Sequence, residues 1–344
     1  MATLQNRPPQ EEFIDRVSAT IEGYRIANRI IEDDDTTHYM IMQKHIGDTF
    51  RNLKLLILFN NYYSGDSQYH MEETFGKILP KFRVVKKVVV VTNELLGGVA
   101  KLFSSVDEVI ILSQNELEAI DAYSKSFACV HPNLHRREYG QGWGETVGEG
   151  QKSLMFVPSY NWILDLPVNI PNKGEWMLSS IRVSTESIKN AKKIVENYKV
   201  NPNKVVVLCP YSRSGSMVSE EQWMPVIDYL IKNGYFVFTN TGPKEKELKN
   251  TTRLQVPVDV FCGLGAIGCS FIGVQSGIVD ILKWIDIDVK LVIISLLFTA
   301  NDRRFVMNRK LKNPLEKREN TTHILIERDV VQDFSNIVIK NIDF

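Results

Sequence analysis

Residues 39–50 read Tyr-Met-Ile-Met-Gln-Lys-His-Ile-Gly-Asp-Thr-Phe, and this stretch decides the fold. The apolar run Tyr39 to Met42 is short enough for a buried strand. His45 to Asp48 is a glycine-containing turn, and residues 50–59 carry the apolar density of a helix. Strand, turn and helix in immediate succession form the unit from which parallel sheets are built.

The same unit recurs downstream. Residues 84–91 are rich in β-branched side chains, 95–103 read as a helix, 109–112 as a strand and 116–127 as a helix. Upstream, Phe13, Val17, Ile21, Tyr24 and Ile31 recur at helical spacing within residues 10–32, with Ile26 and Ile30 off that stripe. This predicts an amphipathic helix that ends in the acidic run Glu32 to Asp35. Between residues 130 and 150 the periodicity fails. His131, His135, Arg136, Arg137, Gly140, Gly142, Trp143 and Gly144 are mixed there, and a long irregular loop in a compact domain tends to carry function.

A capping pattern at Ser184 and Thr185 opens a helix through Tyr198, which Asn201-Pro202-Asn203 ends. A second alternating series follows, with strands at 205–208, 236–239, 271–274 and 291–294 and helices at 220–231, 244–250 and 278–284. A last helix near 330–339 can pack on either half. The class is α/β, with two Rossmann-like domains, 1–178 and 179–344, each built on a parallel sheet. The length of 344 residues agrees, because it exceeds what one hydrophobic core usually serves.

Lys+Arg and Asp+Glu balance at 41 each, so no overall field draws the chain to nucleic acid or to an anionic membrane. Locally, Lys77, Lys81, Arg83, Lys86 and Lys87 form a basic patch that is either a solvated strand flank or a contact for an acceptor or a membrane surface. Cys129, Cys209, Cys262 and Cys269 show no CxxC pairing and read as free thiols of a reducing, cytoplasmic setting. The N-terminal residues are polar and no window approaches the roughly 18 apolar residues of a membrane span, so any membrane association is expected to be peripheral, at the inner face.

In open parallel sheets, ligands bind beyond the carboxyl ends of the strands. Three loops of the second half have that position. Pro210-Tyr211-Ser212-Arg213-Ser214-Gly215-Ser216 offers main-chain amides and one guanidinium to a phosphate, although Ser and Gly also fill ordinary surface loops. Val274-Gln275-Ser276-Gly277-Ile278 breaks a strand at small residues and starts a helix at once, which is either an anion site or a plain strand-to-helix turn. Thr241-Gly242-Pro243, with Glu247 one helical turn on, meets a base or ribose or simply caps a helix. In the first half, Asp48 opens a helix as a cap or as a proton acceptor. Gly47 beside it lets a ligand approach closely, which a cap does not require.

The Ile-Gly-Asp turn, the Pro-Tyr-Ser-Arg-Ser loop followed by Glu-Gln-Trp, the Thr-Gly-Pro-Lys-Glu-Lys-Glu segment and the Ile-Gly-Val-Gln-Ser-Gly turn occur in one order. That order resembles the heptosyltransferase-like proteins of glycosyltransferase family nine, from about residue 38 to about 295. The resemblance implies a GT-B architecture, with the two parallel sheets facing a central cleft. It also implies an inverting, metal-independent transferase that takes its sugar from a nucleotide diphosphate sugar, with no other cofactor. By the same resemblance Asp48 is the catalytic base, and Ser212, Arg213, Ser214, Ser276, Gly277 and Ile278 hold the donor diphosphate; Gln275, Thr241, Gly242 and Glu247 are the further donor-contact candidates. His45, Gly47, Thr49, Arg136, Arg137 and Trp143 face the acceptor, a bacterial glycan, glycolipid or glycoprotein. The sequence departs from the family at three points: Ser219 to Trp223 keeps only the Trp of a Lys-x-Trp, Gln275 replaces an Asp, and Asp280 replaces a His. Arg213 then has to take the cationic role. Three other readings fit the same layout: a polysaccharide pyruvyltransferase using phosphoenolpyruvate, a catalytically silent GT-B partner subunit, and a nucleotide-sugar epimerase, which would need further acid/base groups.

Overall fold

The chain was analysed as a computed structural model, which describes residues 9–32, 37–43, 46, 49, 53, 87–104, 106–124, 126, 129–131, 134–136, 181–212, 216–283, 285–298 and 320–344. The first half opens with helix α1 (Pro9–Ile30) and carries strands β1 (Thr37–Met42), β2 (Lys87–Thr92), β3 (Glu108–Ile111) and β4 (Leu134–Arg136). They form one all-parallel sheet of order β3-β2-β1-β4. Helices α2 (Glu94–Ala100) and α3 (Gln114–Ser124) make the crossovers.

The second half carries helix α4 (Thr185–Asn197), strand β5 (Val205–Cys209), helix α5 (Glu220–Lys232), strands β6 (Phe236–Asn240) and β7 (Thr252–Leu254), and helix α6 (Val258–Ala266). Strand β8 (Ser270–Val274), helix α7 (Gly277–Leu282), strands β9 (Leu291–Leu297) and β10 (Thr321–Glu327) and helix α8 (Phe334–Lys340) complete it. Its six strands are also all parallel, in the order β10-β9-β8-β5-β6-β7. The expected α/β class with two parallel sheets is therefore present.

Side-chain alternation along the strands distributes the core. On β5, Val205, Val207 and Cys209 enter one buried cluster while Val206 and Leu208 enter another on the opposite face. The first cluster also takes Met40, Met42, Val88 and Val90 from the first sheet, so one apolar core runs continuously between the halves. Tyr39, Ile41, Val89 and Val91 point the other way, under α1 and α3. The halves also meet through the backbone, where Arg182 N–H donates to the Leu102 carbonyl at 2.8 Å beside a Phe103–Ile181 bridge.

Several elements differ from the sequence expectation. On α1 the stripe of Val17, Ile21 and Tyr24 is 42–50% exposed, and the packed face is Gly23, Ile26 and Ala27. A Cβ on Gly23 would collide with the Ala119 carbonyl of α3, so backbone approach along a small-residue seam outweighs the larger apolar side chains. The irregular stretch after residue 130 contains β4, which pairs with β1 through Tyr39↔Leu134. Residues 244–250 are not helical. Their backbone is held from outside: Tyr211 Oη donates to Lys246 O at 2.5 Å, and Glu220 accepts from Lys249 N–H at 2.8 Å. Finally, β7, α6 and β10 went unread, α6 because Val258–Ala266 is apolar except for Asp259 and shows no clear period. The C-terminal segment stays on the second half. Phe334 packs edge-on to Trp223 at 5.1 Å and Val331 O accepts from Gln222 at 2.8 Å.

An acid-sensitive tie fixes α1. Glu116 accepts from Arg29 at 2.7 Å and from the Ser113 amide at 3.0 Å, and the Arg29 bond foremost lowers its carboxyl from the ordinary 4.5 to about 2. A lowered folded pKa contributes stability that is present above pH 4.5 and lost as pH falls toward 2. The side chain is one-third exposed, so screening limits the effect to about 1 kcal/mol or less. Denaturant titrations of wild type and Glu116→Gln should therefore differ near neutrality and converge near pH 2. A constant gap across that range would remove this assignment.

Candidate functional site

Because every strand of a sheet runs the same way, all carboxyl ends lie along one edge. In the first sheet, Thr92 Oγ1 donates to Met42 O at 2.6 Å and locks the ends of β1 and β2 together. Asn93 then caps α2 by accepting from Leu96 N–H at 3.0 Å. After β1, Ile46, Thr49 and Leu53 are helical at spacings of three and four, with Leu53 in the core and Ile46 against it. Thr49 is buried, and its hydroxyl has no hydrogen-bond partner among the described residues. His45, Gly47 and Asp48 lie outside the described residues, as do Arg137 and Trp143. The backbone of Arg136 pairs with Ile41, at the same edge of the sheet.

In the second sheet, Cys209 ends β5 opposite Gly273 of β8, and Val274 ends β8 opposite Ile294 of β9. The two turns beyond these ends are packed closely. A Cβ on Gly273 would stand 2.8 Å from Cys209 Cβ and 2.7 Å from Val279 Cγ2. Ser212 is buried, and Arg213 and Ser214 lie outside the described residues. Gln275 N–H donates to Ile294 O at 2.8 Å, and its Oε1 accepts from Ser295 Oγ at 2.8 Å. Ser276 is extended (φ −154°), and its buried hydroxyl has no partner among the described residues. Gly277 starts α7, Ile278 turns onto the core, and Asp280 pairs with Lys283 at 3.5 Å.

The third loop is engaged within itself. Glu245 Oε2 accepts from the Gly242 amide at 2.6 Å, while Thr241 is buried and donates to Leu254 O at 3.4 Å. Glu247 is exposed and stands on no helix, so the spacing argument that singled it out does not apply. Arg253 of β7 was missed, since nothing in the sequence marks a short edge strand there. Its Nε donates to Thr241 Oγ1 at 3.1 Å, and one Nη reaches Gln255 Oε1 at 3.1 Å.

Electrostatically the edge is mixed. Burial raises the Tyr211 hydroxyl pKa, and the carboxylates of Glu245, Glu220 and Glu247 raise it further. Burial pushes the Cys209 thiol far up, which keeps it neutral and unreactive beside the site. Lys87, the one described residue of the basic patch, is committed to Glu108 at 2.8 Å. Among the described residues no group of three His, Cys, Asp or Glu side chains could hold a metal ion, and no helix is long and apolar enough to cross a membrane.

No protein-family model matches the chain, and no curated protein does. Among solved structures, the chain is similar to a glycosyl transferase family 9 protein from Veillonella parvula at 12% identity, over 86% of this chain and 88% of that one, with a TM-score of 0.45. It is similar to ADP-heptose LPS heptosyltransferase II of E. coli at 11% identity, over 89% and 99%, with a TM-score of 0.48. A structure of the E. coli heptosyltransferase WaaC with ADP aligns at 11% identity over 88% and 98%, with a TM-score of 0.44.

Proposed function

We propose that the chain is a glycosyltransferase that moves a sugar from a nucleotide diphosphate sugar to an acceptor hydroxyl, with inversion. One observation carries the reading. Thr49 after β1 and Ser276 after β8, each beyond an interior strand of its sheet, hold buried hydroxyls without partners among the described residues; Ser276 lies in one motif of the family order and Thr49 directly follows another. A buried hydroxyl left unpaired costs about 1–3 kcal/mol, so a polar ligand that completes both is the economical explanation.

In the proposed reaction the nucleotide lies along the second sheet. Ser212, Ser276 and the Arg213 guanidinium face the diphosphate, and Thr241 and Arg253 lie farther along the same edge. The acceptor hydroxyl, near the 45–49 segment, attacks the anomeric carbon from the face opposite the diphosphate. Its proton passes to Asp48 as the bond from anomeric carbon to phosphate oxygen breaks, and a nucleoside diphosphate leaves. The acceptor is a bacterial glycan, glycolipid or protein-linked glycan, and cytoplasmic work at the inner membrane face suits that chemistry.

A thermal-shift panel of nucleoside diphosphates, sugar nucleotides and phosphoenolpyruvate tests the reading. A bound nucleoside diphosphate at a hundred times its Kd adds about 2.7 kcal/mol and raises Tm. A shift with phosphoenolpyruvate alone would instead identify a pyruvyltransferase. A second reading, a silent partner subunit, is favoured by the Glu245 carboxylate on the Gly242 amide and by the acidic surroundings of Tyr211. Nucleotide binding with no turnover of any sugar nucleotide would select it.

A further inference from the structure

Helix α1 carries two packing faces, and only one of them is used within the chain. Gly23, Ile26 and Ala27 are buried on the α3 side, while Val17, Ile21, Tyr24 and Asn28 form a separate exposed stripe. These four follow one another at spacings of four, three and four, which is the repeat by which two helices pair along a seam. The stripe continues beyond the helix. Tyr24 packs edge-on to Tyr123 at 5.7 Å, and Tyr123 Oη accepts from the Val130 amide at 2.9 Å, so Val130, 69% exposed, adjoins it. A contiguous exposed apolar patch of roughly a few hundred Å² has the size that marks an interaction site.

Charge selects the occupant. The exposed charged residues of 15–32 are balanced, with Asp15, Glu22 and Glu32 against Arg16, Arg25 and Arg29. A helix that lies on anionic lipid needs a cationic polar face, which this one lacks. Arg29 is held by Glu116 at 2.7 Å, whereas Glu22 and Arg25 pair with each other at 3.4 Å beside the stripe and stay more than half exposed. A two-fold axis between Ile21 and Tyr24 runs a second α1 antiparallel to the first. It sets Ile21 against Tyr24 of the second copy and Glu22 beside Arg25 of the second copy, each twice by symmetry. A parallel pair would instead put like charges level with one another.

We infer that α1 is a self-association surface, pairing antiparallel with α1 of a second copy through Val17, Ile21 and Tyr24, with Glu22 and Arg25 setting the direction. Helices α1 and α3 cover the face of the first sheet that carries Tyr39, Ile41, Val89 and Val91, and the second half meets the opposite face. Pairing therefore leaves the junction of the halves free in both copies. The stripe is short, so the interface falls below the roughly 1,200 Å² of stable complexes and the dimer is a weak one.

Sedimentation equilibrium of the full chain, from about 1 to about 300 µM, should show monomer and dimer exchanging with a Kd on the order of 10 µM. Ile21→Asp and Val17→Asp, both at exposed positions, should each weaken the dimer at least about tenfold and leave Tm nearly unchanged. Arg25→Glu should weaken it about threefold to tenfold, because Glu22 of each copy then meets a carboxylate, and adding Glu22→Arg should restore it. In a parallel pair the single reversal would leave like charges alike and change nothing. A wild type that stays monomeric across this range overturns the inference, whether or not it sediments with phosphatidylglycerol vesicles. So does a dimer indifferent to both Ile21→Asp and Val17→Asp, and one indifferent to Arg25→Glu overturns the antiparallel pairing.

Discussion

Asp48→Asn should lower kcat by about a thousandfold while leaving stability and nucleoside diphosphate affinity unchanged, within the usual range for loss of a general base. The substitution is chosen because asparagine caps a helix as well as aspartate does. If Asp48 served only to satisfy backbone amides at the start of a helix, the asparagine would serve equally and activity would survive. A base cannot be replaced in this way, since an amide cannot take the acceptor's proton. The neighbours make the local fold tolerant of the change, because Leu53 and Thr49 are buried and Ile46 packs on the core. The proposed nucleotide groups stand on the other sheet, so binding and catalysis should separate cleanly. Initial rates with a sugar nucleotide that the wild type turns over, alongside a nucleoside diphosphate titration, measure both. Full activity in Asp48→Asn would end the base assignment, and a parallel loss of nucleotide binding would mean the segment had collapsed.

The strands and their parallel arrangement were legible because a strand buried on both faces must be a short apolar run, and Val205–Cys209 and Lys87–Thr92 are such runs. Capped helix starts were legible for a similar reason. Ser184 accepts from Ser187 N–H at 3.0 Å, as its position before an apolar-periodic stretch implied. What could not be read depends on contacts from far along the chain. The helix expected over 244–250 has adequate local propensity, yet Tyr211 and Glu220 hold its backbone, and both lie more than twenty residues earlier. The burial of Gly23 in place of Ile21 is likewise a property of the α1–α3 pair. At the site, the order of the motifs was visible in the sequence. The Ser295 hydroxyl that orients Gln275 was not, because a serine within Leu291–Leu297 carries no local signal of its partner.

Gly97 and Gly98 are adjacent on α2, and alanine should act on them in opposite directions. Alanine favours a helix interior over glycine by about 1 kcal/mol, which is the expectation for both in the absence of packing. At Gly97 the new methyl would clash with Ile111 Cδ1, at 2.5 Å, the far end of a half-exposed flexible side chain that can rotate away, and would make ordinary contact with Val109 Cγ1 at 3.6 Å. Gly97→Ala should therefore be neutral or slightly stabilising. At Gly98 the methyl would stand 2.6 Å from the backbone nitrogen of Val258 and 2.8 Å from Asp259 Oδ1, at the start of α6 on the other half. Neither atom can yield alone. Asp259 Oδ2 accepts from Ser187 Oγ at 2.6 Å, and Ser187 is bound in turn to the Ser184 cap of α4, so α6 and α4 would have to move as one. Overpacking of this kind costs about 1–3 kcal/mol, enough to reverse the helix preference and lower the denaturation midpoint. It should also separate the sheets, with kcat falling more than nucleotide affinity, because the proposed base and the proposed donor site stand on different halves. Equal denaturation midpoints for Gly98→Ala and the wild type would show that α2 does not rest on α6 as described. The contrast with Gly97→Ala removes helix propensity as an explanation for either result. Asp259 gives the contact an intrinsic limit. Its Oδ1 is buried beside Gly98 without a partner among the described residues, so slight parting of the halves lets water reach that oxygen and offsets part of the lost packing. The two halves are thus joined by a close backbone contact that a single methyl should part, next to a carboxylate that gains from the opening.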